Sequence, residues 1–343
     1  MSALRTYNVE TGKLVWELYG TSPSLVQLHE APVQFTGRIA ASNDGGVLCA
    51  TIMRNDSFQF VIIEAHDGTV RTLRALYQGD RGLPFNSHDN NSVALLCWGP
   101  STVKILDISP GSQGTRDWKY MPAPTVPLLR GVCMAMTPDN QHVVSCEGPL
   151  ITELTKDFTV RVRVSRCYEG NPIHSHTFPS SKTALNTFQS DRDFLPGFHF
   201  PSESQWLVSF PDYNDASRTC IADAKTGVIV ARVSAELNYL QQWQAGVMPA
   251  PAPVEVVLDT ATGVWTRMQV NQSLVPAGKT ATISRFVVPG VGPRGKGLRG
   301  PPTVESVVMK LEAKDVCHLS PDGRFLTVRH TLNGKVDVIS LQD

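Results

Sequence analysis

Residues 317–328 read Cys-His-Leu-Ser-Pro-Asp-Gly-Arg-Phe-Leu-Thr-Val: an apolar run, a four-residue turn, and a second apolar run. Pro321 presets φ for the first turn position, Asp322 offers a side-chain acceptor, and Gly323 takes a positive φ without steric cost. The same chemistry, with substitutions, precedes other apolar runs at Asn43-Asp44-Gly45, Ser87-His88-Asp89, Thr137-Pro138-Asp139-Asn140 and Pro201-Ser202-Glu203-Ser204. A second kind of turn follows a run and leads into another: Glu10-Thr11-Gly12, His66-Asp67-Gly68, Lys225-Thr226-Gly227 and Ala261-Thr262-Gly263. Between turns, apolar residues alternate with period two, as in residues 103–108 (VKILDI), 160–164 (VRVRV), 254–258 (VEVVL) and 325–328 (FLTV). Period two with β-branched and aromatic residues means strands. Only residues 235–244 (AELNYLQQWQ) offer a short helical pattern.

The spacing of the first kind of turn points to a repeat. Asp44, Asp89, Asp139 and Glu203 stand 45, 50 and 64 residues apart, and Asp44 to Asp322 spans 278 residues. Six intervals across that span average about 46, near the ~40–45 residues of a four-stranded propeller blade. Two further turns are then expected near residues 245 and 285. This predicts an all-β chain: a seven-bladed β-propeller of four-stranded antiparallel blades, one domain over residues 1–343, with insertions at 167–196 and 289–302. Residues 315–319, 324–331 and 335–341 supply three strands of a last blade. Residues 13–18 (KLVWEL) read as a lone outer strand, so pairing them with the C-terminal blade would close the ring. Residues 4–9 also read as a third strand, duplicating 335–341, which leaves the order at the seam open.

Several segments resemble repeats of the WD40 family. Thr102-Val103-Lys104-Ile105-Leu106-Asp107-Ile108 is similar to a third strand with Leu106 in the tryptophan position. Residues 4–9 read the same way with Tyr7 and Asn8, and Ala222-Asp223 and Leu258-Asp259 hold the same place before their Thr-Gly turns. Residues 317–325 are similar to a first hairpin. Thr11-Gly12-Lys13-Leu14-Val15-Trp16, and in part Thr262-Gly263-Val264-Trp265, also resemble quinoprotein-type repeats, the second choice. Neither a Trp-Asp pair nor a Gly-His dipeptide marks any blade, so apolar packing is expected to hold the blades together. The WD40 resemblance implies a non-catalytic scaffold for protein–protein interaction, a subunit of a larger complex. The alternative is a propeller enzyme, a hydrolase or lyase, with its site at the central channel.

Composition narrows the partners. Lys plus Arg equals Asp plus Glu, 31 against 31, which argues against binding to polyanions through bulk charge but not against a local basic patch. The seven cysteines, 49, 97, 133, 146, 167, 220 and 317, include no Cys-x-x-Cys pair, and most lie in apolar runs. Reduced, buried thiols are expected, in a cytoplasmic or nuclear protein. The N-terminal residues carry no signal-peptide pattern, and no apolar run approaches the ~18 residues of a membrane span, so no membrane partner is expected.

Candidate chemistry is sparse. His174 and His176 form a His-x-His pair within 167–196; on an extended segment both rings face one way and could share a metal, with His199 or Asp191 as further ligands. Solvated loop histidines are the simpler reading, and no metal or cofactor is expected. No nucleophile, zinc-hydrolase or phosphate-loop motif is present, and Gly290-x-Gly292 lies in a Gly/Pro stretch rather than between a strand and a helix. Residues 289–302 (PGVGPRGKGLRGPP) carry Arg294, Lys296 and Arg299 without an acidic residue. Their glycines and prolines predict a mobile loop. Its cations suit a protein partner with an acidic patch; nucleic acid is disfavoured, because no aromatic residue is there to stack on bases. Residues 159–166 (TVRVRVSR) predict an outer strand with Arg161 and Arg163 on a solvated face. The connections 19–36 and 167–196 are expected on one face, joined by 289–302 if that segment links second and third strands.

Overall fold

The computed structural model describes residues 3–8, 11–25, 33–42, 45–54, 57–75, 81–86, 92–98, 102–107, 115–119, 132–139, 141–151, 158–166, 172–180, 196–212, 218–234, 254–274, 277–299, 302–332 and 334–341. The chain divides into two compact units, one of residues 1–127, 134–143 and 165–173, the other of 128–133, 144–164 and 174–343.

In the first unit β1 (Ala3–Tyr7) and β2 (Leu14–Tyr19) form a two-stranded sheet. Two four-stranded blades follow: β3 (Gln34–Ala41), β4 (Val47–Arg54), β5 (Ser57–Glu64) and β6 (Val70–Ala75), then β7 (Arg81–Asn86), β8 (Ser92–Trp98), β9 (Thr102–Asp107) and β10 (Thr115–Lys119). A further blade, whose strand residues belong mostly to the second unit, is β11 (Val132–Met136), β12 (His142–Ile151), β13 (Phe158–Arg166) and β14 (Pro172–Ser180). The second unit holds β15 (Gly197–Ser202), β16 (Gln205–Pro211), β17 (Arg218–Asp223) and β18 (Ile229–Ser234) in one blade. The next comprises β19 (Val254–Asp259), β20 (Val264–Leu274), β21 (Ala277–Val287) and β22 (Val304–Leu311). A three-stranded sheet of β23 (Val316–Leu319), β24 (Phe325–Arg329) and β25 (Val336–Ser340) ends the chain. Within each sheet the strands pair in chain order, as β-propeller blades do.

The count of seven blades is corrected: among the described residues five sheets have four strands, and the sheets nearest the two ends of the chain have two and three. The uniform spacing failed because strand lengths vary. The turn expected near residue 285 falls inside the eleven-residue β21. The one near 245, like the helical pattern at 235–244, lies outside the described residues. Closure through residues 13–18 is not established either. Their ladder partner is β1, in register from Ala3↔Tyr19 to Tyr7↔Leu14. The turn between them is held locally: Gly12 N donates to the Asn8 carbonyl at 2.8 Å, and Thr11 N to Asn8 Oδ1 at 2.8 Å.

The alternating pattern buries both faces of inner strands. On β16, Trp206, Val208 and Phe210 pack with Val160, Val162 and Val164 of β13, whereas Leu207 packs toward Trp265 and Phe286 of the following blade. On β20, Trp265 faces one way and Met268 and Val270 the other, against Cys317, Leu326 and Val328. Leu4 and Leu18 pack on Ala50, Ile52, Val61 and Ile63 of the blade β3–β6. Apolar packing holds neighbouring sheets together, as the missing Trp-Asp pairs require. Residues 159–166 are not an outer strand. β13 is third in its blade, and Arg163 is buried opposite Glu147, Nη1 to Oε1 3.4 Å. A strand flanked on both faces has no solvated side, so the arginine takes a carboxylate instead.

Candidate protein-binding site

The segment 289–302 departs from the expected mobile loop. It joins β21 to β22, the third and fourth strands of its blade, so the condition for its sharing a face with 19–36 and 167–196 is not met. It also packs. Val288 and Val291 are buried in the core beneath Trp265 and Phe286. A single helical turn, α1 (Gly292–Gly295), is closed by Gly290 N donating to the Gly295 carbonyl at 2.8 Å. The turn between β19 and β20 lies directly against it. A Cβ at Gly292 would stand 2.9 Å from the Gly263 Cα, and both glycines have positive φ, 67° and 75°. Glycine at both positions lets the two backbones touch.

Two clefts open on this edge of the blade. One, of about 400 Å³, is lined by Arg285, Arg294, Arg299, Leu298, Thr303 and Glu305, among others. The other, of about 300 Å³, shares Arg285 and Arg294 and adds Asp259, Asp322 and Arg324. Arg285 comes from β21 and is held by Nη1 donating to the Leu341 carbonyl at 3.1 Å. Arg294 and Arg299 are exposed, and among the described residues neither forms an ion pair. Arg285, Arg294 and Arg299 thus line the larger cleft together with one acidic residue, Glu305. Guanidinium forks bind carboxylates and other planar anions through paired hydrogen bonds.

The second cleft has internal charge balance. Asp259 Oδ1 accepts from Ala261 N at 3.0 Å and Thr262 N at 3.3 Å, so the Asp before the Thr-Gly turn builds the hairpin. Its Oδ2 accepts from Arg324 Nε at 3.1 Å and Nη2 at 2.9 Å, clamping the blade β19–β22 to the sheet β23–β25. Burial opposes ionisation of Asp259, but hydrogen bonds from Thr262 and Arg324 outweigh it and hold its pKa below the usual carboxylate range. A second clamp lies on the same strands: His318 Nδ1 sits 2.7 Å from Glu255 Oε1, and Leu319 N donates to Glu255 Oε2 at 2.8 Å. The Glu255 hydrogen bond raises the His318 pKa.

Of the residues expected from sequence, Arg294 and Arg299 come together, and Lys296 is exposed on the same segment without lining either cleft. Arg285 and Arg324 were missed. Arg285 sits in an ordinary strand pattern that gives no signal, while Arg324 directly follows the Ser-Pro-Asp-Gly turn. His174 and His176 are not loop histidines: they lie on β14, with rings stacked 6.4 Å apart. His176 Nε2 is 2.9 Å from the Lys225 carbonyl. His199 is elsewhere, on β15, and buried, with Nε2 2.8 Å from Ser209 Oγ and its ring 4.6 Å from that of Trp265. Desolvation pushes its pKa down to about 3, so the imidazole is neutral. This Ser–His pair resembles a nucleophile and base but has no solvent access, and it fills the core. Asp191 lies outside the described residues.

One further cluster, Glu312, Asp315 and His330, brings potential metal-binding atoms within 4.8 Å of one another. His330 Nδ1 is 3.2 Å from Asp315 Oδ1 and Nε2 is 2.9 Å from Asp337 Oδ2, while Asp315 Oδ2 accepts from Glu312 N at 3.0 Å. The arrangement is that of an imidazole between two carboxylates. Cys49, Cys146, Cys220 and Cys317 are buried and unbridged. No helix among the described residues is long and apolar enough to cross a membrane.

The fold is that of a β-propeller, and solved structures superpose on the chain. A chain of the mitotic checkpoint complex superposes with a TM-score of 0.56 at 14% identity, covering 99% of this chain and 84% of that one. U3-55K superposes with 0.54 at 14% identity, covering 99% and 89%. The hydrazine synthase of Kuenenia stuttgartiensis gives 0.56 at 14% identity, covering 98% and 89%, so the same architecture also serves an enzyme. At these identities the likeness is one of fold. No family model and no curated protein sequence matches the chain.

Proposed function

We propose that this chain is a non-catalytic interaction subunit of a protein complex, a single propeller domain over residues 1–343 that receives an acidic surface of a protein partner at the Arg285–Arg294–Arg299 cleft. The observation that carries the reading is the convergence of three arginines from β21 and the 288–303 segment on one cleft with a single glutamate. The packing of Val291 beneath the segment adds to it, because charges on a fixed frame lose less entropy on binding. Lys296 contributes to the field around the cleft rather than to its wall. Buried, unbridged cysteines support an intracellular setting, cytoplasmic or nuclear.

The test is affinity capture from lysate of the source cells, comparing wild type with the triple variant R294A/K296A/R299A at low and high salt. The reading expects a defined set of proteins retained by wild type at low salt, depleted from the variant and depleted by salt, since exposed charges are screened beyond ~10 Å at 0.1 M. With a purified partner, the variant should show mainly a slower association rate. An identical set and identical rates for the two proteins at low salt would refute the assignment.

A further inference from the structure

The larger cleft lies where β22 begins: Thr303 and Glu305 line it, and Glu305 is the ladder partner of Arg285. β22 is the outer strand of its blade, and among the described residues its ladder partner is β21 alone. The β21–β22 ladder runs eight pairs, from Phe286↔Val304 to Lys279↔Leu311, without a shift. The β5–β6 and β17–β18 ladders, which hold other outer strands, each carry a register shift, and the unshifted β9–β10 ladder has only five pairs. The outer edge of β22 contains no proline, and Val307 and Val308 are 69% and 62% exposed, one on each face. Natural outer strands are ordinarily blunted by bulges, charges or proline. This one is long, regular and apolar at its centre, with a fixed cluster of positive charge at one end.

We propose that an extended acidic segment of the protein partner adds to β22 as a fifth strand, with an acidic side chain at its end seated in the Arg285–Arg294–Arg299 cleft. Main-chain hydrogen bonds along β22 supply affinity, the exposed valines pack against alternate side chains of the added strand, and the arginines set its register. The inference rests on the reading of the cleft as an acid-binding site and adds the mode of binding. A second copy of this chain fits less well. Glu305 and Lys310 lie on opposite faces of β22, so a symmetric antiparallel pairing of two β22 edges cannot set them opposite each other, and a parallel pairing opposes Glu305 to Glu305. The occupant whose charge matches is an acidic strand.

The probe is a synthetic peptide of about ten residues, enough to span the ~3.3 Å per residue of β22, with Asp-Glu-Asp at one end and alternating Thr and Val beyond. It is made in both directions, and a third peptide carries N-methyl groups on alternate amides, which keeps the charge and blocks strand addition. Binding to the full chain is followed by fluorescence anisotropy at low salt, and hydrogen exchange of residues 304–311 is read with and without peptide. The proposal expects binding by one direction, at least tenfold weaker binding of the N-methylated form and of R294A/R299A, and slowed exchange at 304–311. Equal binding of the N-methylated peptide, still lost in R294A/R299A and without protection at 304–311, overturns strand addition while the acid-binding reading stands. Absence of binding by every acidic peptide overturns both. Protection at 304–311 that rises with protein concentration alone, together with a dimer in sedimentation, overturns the proposal in favour of self-pairing.

Discussion

Trp265 and Trp206 respond differently to the same substitution, and the difference tests how the blades are held together. Trp265 on β20 is fully buried, its ring stacked 6.1 Å from Phe286 and edge-on to His199, and among the described residues its indole Nε1–H has no acceptor. Trp206 on β16 is nearly as buried, but its Nε1 donates to the Glu203 carbonyl at 2.8 Å, and the Lys225 ammonium lies 3.7 Å from its ring centroid. Replacing either by Phe removes roughly 40 Å² of buried apolar surface, about 1 kcal/mol, and leaves a small cavity of comparable cost. For Trp265→Phe the orphaned donor also disappears, relieving about 1–3 kcal/mol of desolvation, so the net change should lie within ~1 kcal/mol of zero. For Trp206→Phe a satisfied hydrogen bond is lost, about 0.5–1.5 kcal/mol, and the cation–π contact weakens by up to ~1 kcal/mol, giving about 2.5–4.5 kcal/mol of destabilisation with the area and cavity costs. Urea unfolding followed by far-UV circular dichroism measures both, since loss of a tryptophan alters the fluorescence signal itself. If Trp265→Phe costs as much as Trp206→Phe, the indole has a hydrogen-bond partner and the ledger is wrong.

Gly323 has φ +68°, and a Cβ there would lie 2.6 Å from Thr266 Oγ1, whereas Gly12 has φ +64° with open space around it. Gly323→Ala should therefore cost about 2–3 kcal/mol and Gly12→Ala about 1 kcal/mol, and equal melting temperatures for the two variants would contradict the clash. Burial pushes the Cys49 and Cys220 thiols up to about 12, so both should resist alkylation in the native protein, while all seven cysteines react after denaturation without reductant; mass spectrometry of the labelled peptides reads this out. The pKa of His318 is raised by Glu255 and that of His330 by Asp337 and Asp315. Their stabilisation is then complete below the unfolded histidine value of about 6.5 and is lost as pH rises through the higher folded values. The melting temperature should fall over that range, and His318→Asn and His330→Asn should flatten the slope; a slope unchanged in both variants would remove these histidines from the account.

Strand identity was legible in the sequence because it is a local property. Alternation of apolar residues, Thr-Gly turns with an Asp or Asn three or four residues earlier, and the Ser-Pro-Asp-Gly hairpin each act within a few residues, and the strands 14–19, 254–259, 316–319, 325–329 and 336–340 fall where those signals place them. The absence of Trp-Asp pairs likewise foretold blades joined by apolar packing, as the cores around Trp206, Trp265 and Met268 show. Blade number was not legible, because turn spacing measures strand plus loop length, and the long strands β20 and β21 absorbed a turn that uniform spacing demanded. Residues 13–18 were legible as a strand, but their ladder with β1 was not, because which strand pairs with which depends on the turn between them as well as on alternation. The arginine-lined cleft was half legible. Arg294 and Arg299 announced themselves in a run free of acidic residues, but composition alone made that run mobile. Tertiary structure decided otherwise: Val291 enters the core, and Gly263 and Gly292 bring two turns into backbone contact. Only that docking sets Arg285, from the middle of a strand, beside Arg294 and Arg299, because charges distant in sequence converge only once buried apolar side chains have fixed the frame that carries them.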